Sequence, residues 1–369
     1  MKRDYPGLDI VRFAAAFMVA VYHVGFWWWL PKQSPNAAIL KALGGHDSFT
    51  RWGWVGVPIF FVLSGFVIAF TADGRLAGQF IKNRALRLYP IAWLCATITL
   101  LVAGGTMHSF LNAIFLAPGG PWISGVYWTL SVELAFYLLV TLCVAVGISL
   151  PRLAGILAII GGGYWAARTF DSLIGKPWRP FFVLIETSRF GNLTLLTYGC
   201  FFAVGMLLWS INAKRSPRSH YVLILFSISA GILEIFSASR SNMAANGLSG
   251  SHLPPILIWF TALLAIVAAV WWNDRLAACL GNGRAMLRTL GLMTYPLYLV
   301  HSEVGRKIVL HFIPITSAVI AVSIALAVVM FIAWAILLLE PYPKIALRWV
   351  LEAQWRPKMV SKDTGGTRD

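Results

Sequence analysis

Three ionisable side chains lie inside long apolar segments, where a charge is costly unless it meets a partner or a cavity. They are His23, Glu133 and His301. Counted at about 1.5 Å per residue, they fall at similar depths, in the middle to outer half of a bilayer core about 30 Å thick. Two imidazoles and a carboxylate at one level predict a general-base site, because a histidine oriented by an acid can activate a hydroxyl. The alternative is that each side chain makes a structural hydrogen bond between helices.

A second set of charged residues lies at the edges of these apolar segments. Arg84 and Arg87 are three residues apart, so they project from one face of a helix at the membrane surface. Paired guanidinium groups suit phosphate, but the spacing alone favours topogenic positive charge. Arg12 lies one turn from Asp9 and is most simply a charge paired with its counter-ion. A headgroup or cofactor phosphate beside Arg12 is the alternative.

Other polar residues give weaker signals. Ser64 and Gly65 form a small pair in the middle of an apolar segment, where they can allow close helix contact. Ser131 lies two residues before Glu133, but as a covalent nucleophile it would need an adjacent base, so we expect only a supporting role. The seven histidines lack the spacing of metal ligands, and no metal site is expected.

The composition identifies the solvent that must surround these residues. Hydrophobic residues make up 59% of the 369 residues and charged residues 12%, whereas an ordinary soluble domain is about one quarter charged. This excludes a soluble globular protein, a disordered chain and a disulfide scaffold. Thirty Lys and Arg against fourteen Asp and Glu give a net charge of +16. Because the basic residues lie in clusters between apolar segments, they indicate a membrane surface and no nucleic acid partner.

We therefore predict an all-α bundle of about ten transmembrane helices in a multi-pass protein. The windows are 10–30, 53–72, 88–104, 127–148, 153–167, 190–212, 221–238, 255–273, 290–312 and 316–339. The segment 105–126 is expected to be interfacial. The bias of basic residues predicts cytoplasmic N- and C-termini, and Trp27, Trp28 and Trp29 are expected to form an aromatic belt at the outer interface. The membrane domain is assigned to residues 1–345, followed by a basic, partly disordered cytoplasmic tail at 346–369.

The ordered set of motifs resembles the acyltransferase-3 family of bacterial integral membrane acyltransferases. The resemblance covers roughly residues 5–345. Its five matching pieces are Gly7–Arg12 leading to His23, Val57–Phe66, Arg84–Arg87 with Tyr89 and Pro90, Trp128–Glu133 with Phe136 and Tyr137, and Tyr295–His301. Many members carry a second acid after the glutamate, whereas Leu134 and Ala135 follow Glu133 here.

The resemblance implies transfer of an acyl group, usually acetyl, from acyl-CoA to a hydroxyl of a glycan or lipid-linked glycan, in the bacterial inner membrane and without a metal. It also implies that His23 is the essential histidine, Arg84 and Arg87 the paired-arginine motif, and Glu133 the acid of the fourth span. We expect Arg84, Arg87 and Arg12 to bind the CoA phosphates, and Glu133 to orient the catalytic His23. Supporting or substrate roles go to Asp9, Ser64, Ser131, Tyr298 and His301.

Two rival functions remain open on the sequence. The acceptor could be a small lipophilic metabolite such as a macrolide. Alternatively, intramembrane His and Glu residues could serve a proton-coupled transporter, although no internal repeat of the kind found in many transporters is evident. An acyl-His23 intermediate and a homo-oligomer are likewise left open.

Overall fold

The computed structural model describes residues 4–33, 37–45 and 49–354, and this part of the chain contains helices and no strand. In chain order the α-helices are α1 (Pro6–Gly25), α2 (Ala37–Ala42), α3 (Gly56–Ala72), α4 (Ala77–Ala103), α5 (Met107–Ile114), α6 (Trp128–Ala145), α7 (Leu150–Leu173), α8 (Arg179–Thr187), α9 (Arg189–Leu193), α10 (Gly199–Asn212), α11 (Ser219–Asn246), α12 (Leu253–Trp271), α13 (Asn273–Leu280), α14 (Arg284–Phe312), α15 (Ala318–Leu339) and α16 (Pro341–Gln354). Short 3₁₀ helices lie at Trp27–Trp29, Phe49–Val55, Gly125–Tyr127 and Gly281–Gly283.

Eight helical segments of the described chain are long and apolar enough to cross a membrane, so the protein is a multi-pass membrane protein. They are Pro6–Trp29, Phe49–Ala72, Ala77–Ala103, Gly125–Ala145, Leu150–Leu173, Ser219–Asn246, Leu253–Trp271 and Ala318–Leu339. Each overlaps one of the predicted windows. The all-α membrane class is confirmed, whereas the count of ten and the orientation of the termini stay predictions.

The two remaining predicted windows do not correspond to one of these eight apolar segments, and each has a physical reason. The window 190–212 divides into α9 and α10, because Leu195 has a φ of 60°, outside the right-handed helical region. The 14 residues of α10 reach only about 21 Å, although all but its last two are buried. The window 290–312 lies within α14, which has 29 residues but carries Arg288, Glu303 and other charges.

Three further predicted segments can be compared with the helices. The window 153–167 is the middle of the 24-residue α7, while the segment 105–126 contains the short α5, consistent with a piece that does not span. Helix α16 crosses the predicted domain boundary at 345. The rest of the predicted tail, residues 355–369, lies outside the described residues.

The centre of the bundle consists of α1, α3, α10 and α14. Helix α1 packs against both α14 and α3, and α3 packs in turn against α10. The last contact is close because a Cβ on Gly65 would lie 2.2 Å from the carbonyl oxygen of Phe202. The expectation that Ser64 and Gly65 mark a close helix contact is therefore confirmed.

The three tryptophans after α1 do not form the simple belt that we expected. Trp29 is fully buried and donates a hydrogen bond from Nε1 to the carbonyl of Val24 at 2.7 Å. Trp28 donates from Nε1 to the hydroxyl of Ser302 at 3.1 Å. The chain turns at the end of α1, which directs these rings toward α14 and the protein interior.

Candidate active site

His23 and His301 form a hydrogen-bonded pair where α1 packs against α14. Nε2 of His301 lies 2.9 Å from Nδ1 of His23. Nδ1 of His301 lies 3.1 Å from the carbonyl oxygen of Leu297, and Nδ1 of His23 lies 3.1 Å from that of Val19. His301 is fully buried, whereas His23 is half-buried and lines a cavity.

These contacts determine which nitrogens carry protons. A carbonyl oxygen can only accept, so Nδ1–H of His301 donates to Leu297. Nε2 of a neutral His301 is then an acceptor, and Nδ1–H of His23 is the donor shared between His301 and Val19. The lone pair of Nε2 of His23 is left available, which is the form that a general base requires.

The close approach of α1 and α14 depends on a residue without a side chain. A Cβ on Gly305 would lie only 2.7 Å from Cγ2 of Val24. Gly305 lies one turn after His301, and Val24 follows His23 directly. The absence of a side chain at this position lets the two imidazoles reach hydrogen-bonding distance.

Three arginines from two helices line a second cavity, of about 100 Å³. Arg12 comes from α1, and Arg84 and Arg87 come from α4. Nη1 of Arg12 lies 3.2 Å from Oδ1 of Asp9, so the predicted ion pair is present. The structure thus brings together the three arginines that the sequence analysis had assigned to CoA binding.

Arg84 is the most unusual of the three arginines. It is only 7% exposed, and its Nε has no hydrogen-bond partner in the described part of the chain. The guanidinium carbon lies 5.6 Å from the ring centroid of Phe80 and 6.0 Å from that of Tyr137. Since a buried charged donor without a partner is unfavourable, this arrangement fits an anionic ligand in the cavity.

Glu133 lies in the arginine-lined cavity and not beside His23. Its Oε1 accepts hydrogen bonds from the hydroxyls of Ser64 and Tyr137, each at 2.5 Å. The expectation that Glu133 orients the imidazole of His23 is therefore corrected, because its carboxylate is engaged elsewhere and His301 occupies that position. Counting residues along the chain does not show on which face of its helix Glu133 lies.

A third feature is a larger cavity of about 570 Å³ on the side of His23. About a third of its lining residues are Trp or Tyr, including Trp27, Trp28, Trp54, Trp128, Trp165 and Tyr198. The carboxyl groups of Glu186, Glu234 and Glu303 also line it, together with several hydroxyl and amide side chains. No arginine or lysine is among these lining residues.

Tyr298 and Val57 line both cavities and so form part of the wall between them. The hydroxyl of Tyr298 shares a 3.0 Å hydrogen bond with that of Thr129. The ring of Tyr298 packs 5.7 Å from that of His301 and 5.7 Å from that of Phe60. The predicted residue Tyr298 thus lies between the arginine-lined cavity and the histidine pair.

Ser131 is brought to neither cavity. It is 3% exposed, and its Oγ has no hydrogen-bond partner among the described residues. Position 131 lies two residues before Glu133 on α6, so it faces away from the Glu133 side of the helix. The supporting role expected for Ser131 has no geometric basis.

Sequence reasoning missed the acidic residues of the large cavity, Glu186, Glu234 and Glu303. Glu234 is an isolated acid in the apolar segment 219–246, which is the same signal that identified Glu133. Tyr137 and Thr129 were noted in the sequence only as members of the family motif that contains Glu133. In the described part of the chain, no group of three His, Cys, Asp or Glu residues could hold a metal ion.

Comparison with known proteins identifies the family. A sequence model described as "Acyltransferase domain", of the acyltransferase-3 family, matches residues 5–338. No solved structure matches.

Three curated relatives align over shorter stretches. Exopolysaccharide production protein ExoZ of Rhizobium meliloti (strain 1021) is 33% identical over 104 residues, 23% of this chain and 32% of that protein. Acyltransferase MdmB of Streptomyces mycarofaciens is 28% identical over 157 residues, 36% and 37% of the two chains. Nodulation protein 10 of Rhizobium leguminosarum bv. viciae is 26% identical over 208 residues, 47% and 53%. The aligned part thus spans about a third to a half of each relative.

Proposed function

The chain belongs to the acyltransferase-3 family, and from that premise we propose that it transfers an acyl group, acetyl in the simplest case, from acyl-CoA to a hydroxyl of a glycan. The observation that carries this proposal is a histidine with an available Nε2 lone pair that lines one of two adjacent cavities of different chemistry. One cavity is lined by three arginines, and the other by aromatic and polar side chains.

Acyl-CoA is the donor that fits the arginine-lined cavity. Arg84 and Arg87 would bind phosphate oxygens of the donor, with Arg12 nearby, since guanidinium groups bind phosphate through charge-assisted hydrogen bonds. A volume of about 100 Å³ is too small for a whole coenzyme, so the adenine end remains outside. Arg12 and His23 are eleven residues apart on α1, or about 16 Å, a distance that an extended pantetheine arm can bridge.

His23 then acts as the general base. Nε2 of His23 removes the proton of the acceptor hydroxyl while the oxygen attacks the thioester carbonyl carbon. The carbon–sulfur bond breaks, and the thiolate of CoA leaves with the proton that His23 had taken. His301 accepts the hydrogen bond from Nδ1–H of His23 throughout, which stabilises the transient imidazolium.

A glycan acceptor is supported by two observations. The large cavity combines aromatic faces with carboxyl, hydroxyl and amide groups, and ExoZ is named for exopolysaccharide production. A lipophilic metabolite acceptor is a second candidate, because the aromatic walls would also suit an apolar ring system. A transporter is not favoured, since the family is one of acyltransferases.

The test uses the full-length chain purified into lipid nanodiscs with radiolabelled acetyl-CoA. We expect free CoA and an acetylated product in equal amounts when a neutral oligosaccharide is supplied. Mass spectrometry of the product would identify an O-linked acetyl ester. Turnover only with a lipophilic alcohol would favour the metabolite acceptor, and no acyl transfer to any hydroxyl would overturn the proposal.

A further inference from the structure

Glu234 is a buried acid for which the mechanism above has no use. It lies on α11, is 8% exposed and lines the large cavity. Its Oε2 has no hydrogen-bond partner in the described part of the chain. A buried carboxyl oxygen without a partner is unfavourable by itself, and a ligand hydroxyl in the cavity would satisfy it.

The residues around Glu234 indicate which class of ligand the cavity can bind. The aromatic rings of the cavity present flat apolar faces of the kind that cover the C–H faces of a pyranose ring. Glu186, Glu234 and Glu303 contribute acidic groups, while no arginine or lysine is among the lining residues.

Two nearby arginines contact residues of the cavity wall but are not among the residues that line the cavity. Nε of Arg168 lies 3.0 Å from Oε1 of Glu186. The guanidinium carbon of Arg306 lies 4.5 Å from the ring centroid of Trp28. An anionic sugar would therefore meet carboxyl groups without an arginine or lysine lining the cavity to compensate its charge.

We propose that the large cavity is a binding site for a sugar without acidic groups, and that Glu234 is its specificity-determining residue. This deepens the proposed function and rests on it, because it assigns the acceptor to the His23 side of the wall. The acceptor hydroxyl group that binds Glu234 differs from the one that is acylated, and uronic acids are excluded from the cavity.

The first test measures sugar binding without acyl transfer. Saturation-transfer NMR on the full-length chain in nanodiscs compares cellotetraose with tetragalacturonic acid. We expect signals for cellotetraose, a loss of these signals in the Glu234→Leu variant, and none for tetragalacturonic acid. Equal or stronger signals for tetragalacturonic acid, no cellotetraose signal, or unaltered binding to the variant would overturn the proposal.

A second measurement separates a binding role of Glu234 from a structural one. Replacing a buried, unsatisfied carboxyl by an apolar side chain of similar size should leave the thermal midpoint unchanged or raise it. In the same Glu234→Leu variant the KM for the sugar should rise about ten-fold or more, with the KM for acetyl-CoA unchanged. The sugar KM of Glu234→Gln should lie between those of the wild type and Glu234→Leu. The sugar KM of Glu340→Gln should match that of the wild type, since Glu340 lies outside both cavities. A lower thermal midpoint with an unaltered sugar KM would assign Glu234 to structure alone.

The two proposals fail in different ways. Cellotetraose binding that depends on Glu234, without turnover of acetyl-CoA, would contradict the acyltransferase mechanism. The same result would still support the sugar site. Acyl transfer to a neutral sugar at an unaltered KM in Glu234→Leu would contradict only the role of Glu234.

Discussion

In the proposed mechanism, proton transfer depends on the pair of His23 and His301. A carboxylate commonly orients a catalytic histidine, but in this protein the nitrogen Nε2 of His301 lies 2.9 Å from Nδ1 of His23. We infer that His301 is a positioning residue, which holds one tautomer of His23 and disperses the charge of its imidazolium.

The first prediction concerns His301. Replacing it by Leu removes the acceptor of the Nδ1–H bond, so kcat should fall by about 100-fold, within the range of general-base contributions. His301→Gln should keep part of the activity, because its amide oxygen can accept that bond. Steady-state kinetics should show this fall in kcat with the KM for acyl-CoA unchanged. Equal kcat in the wild type and His301→Leu would exclude the positioning role.

The second prediction concerns the arginine-lined cavity. Arg87→Lys keeps the positive charge but loses the planar pair of donors, a change of about 1.5–3 kcal/mol for a charge-assisted contact. The KM for acyl-CoA should rise roughly ten-fold or more, while membrane insertion stays normal. Arg75→Lys is the matched control, since Arg75 lines neither cavity. An unaltered KM in Arg87→Lys would leave that arginine a purely topological role.

The sequence identified candidate site residues better than it predicted which of them are in contact. Isolated ionisable groups in apolar segments identified His23, Glu133 and His301, because burying such groups has an unavoidable cost. Counting residues gives their depth in the bilayer but not their direction around the helix axis. The sequence therefore paired His23 with Glu133, whereas the structure pairs it with His301.

At the scale of helices, the contact between α1 and α14 determines whether the histidine pair can form. Gly305 lies against Val24, where a Cβ would come within 2.7 Å of Cγ2 of the valine. Such a contact requires one of the helices to shift, since helix backbones in a packed bundle relax only in part.

The third prediction tests this contact. Gly305→Ala should destabilise the protein by about 1–3 kcal/mol and lower kcat, because the imidazoles move apart. The double variant Gly305→Ala with Val24→Ala should recover both, since the opposing methyl group is removed. Thermal unfolding and kinetics of the four proteins form a double-mutant cycle. Additive losses in the double variant would show that the contact with Val24 does not control the pair.

The sequence predicted the helices best where the helix must be apolar because it contacts lipid. Eight windows correspond to apolar helices, because a span must be long and hydrophobic enough to cross the bilayer. Helix α10 was harder to delimit because almost all of it is buried in protein, where a helix can be short without contacting lipid. Helix α14 was harder to delimit because it carries several charged residues.

At the scale of the whole molecule, the bundle contains two cavities that differ in chemistry. The cavity with three arginines and the cavity with three acidic residues share only the wall that contains Val57 and Tyr298. This division would let a phosphorylated donor and a sugar approach His23 from different sides. The net charge of +16 predicted a membrane surface, but the composition could not reveal an acidic, aromatic cavity within a basic protein.

The most direct test of the account is acyl transfer by the His23→Gln variant of the purified, full-length chain in nanodiscs. Because the loss is that of the general base, turnover of acetyl-CoA with a neutral oligosaccharide should fall by about 100-fold or more. Binding of labelled acetyl-CoA should remain at the wild-type level, since the arginine-lined cavity is untouched. His108→Gln, an exposed histidine of α5, should behave as the wild type in both assays. Turnover close to the wild-type rate in His23→Gln would contradict the central claim that this histidine removes the proton of the acceptor.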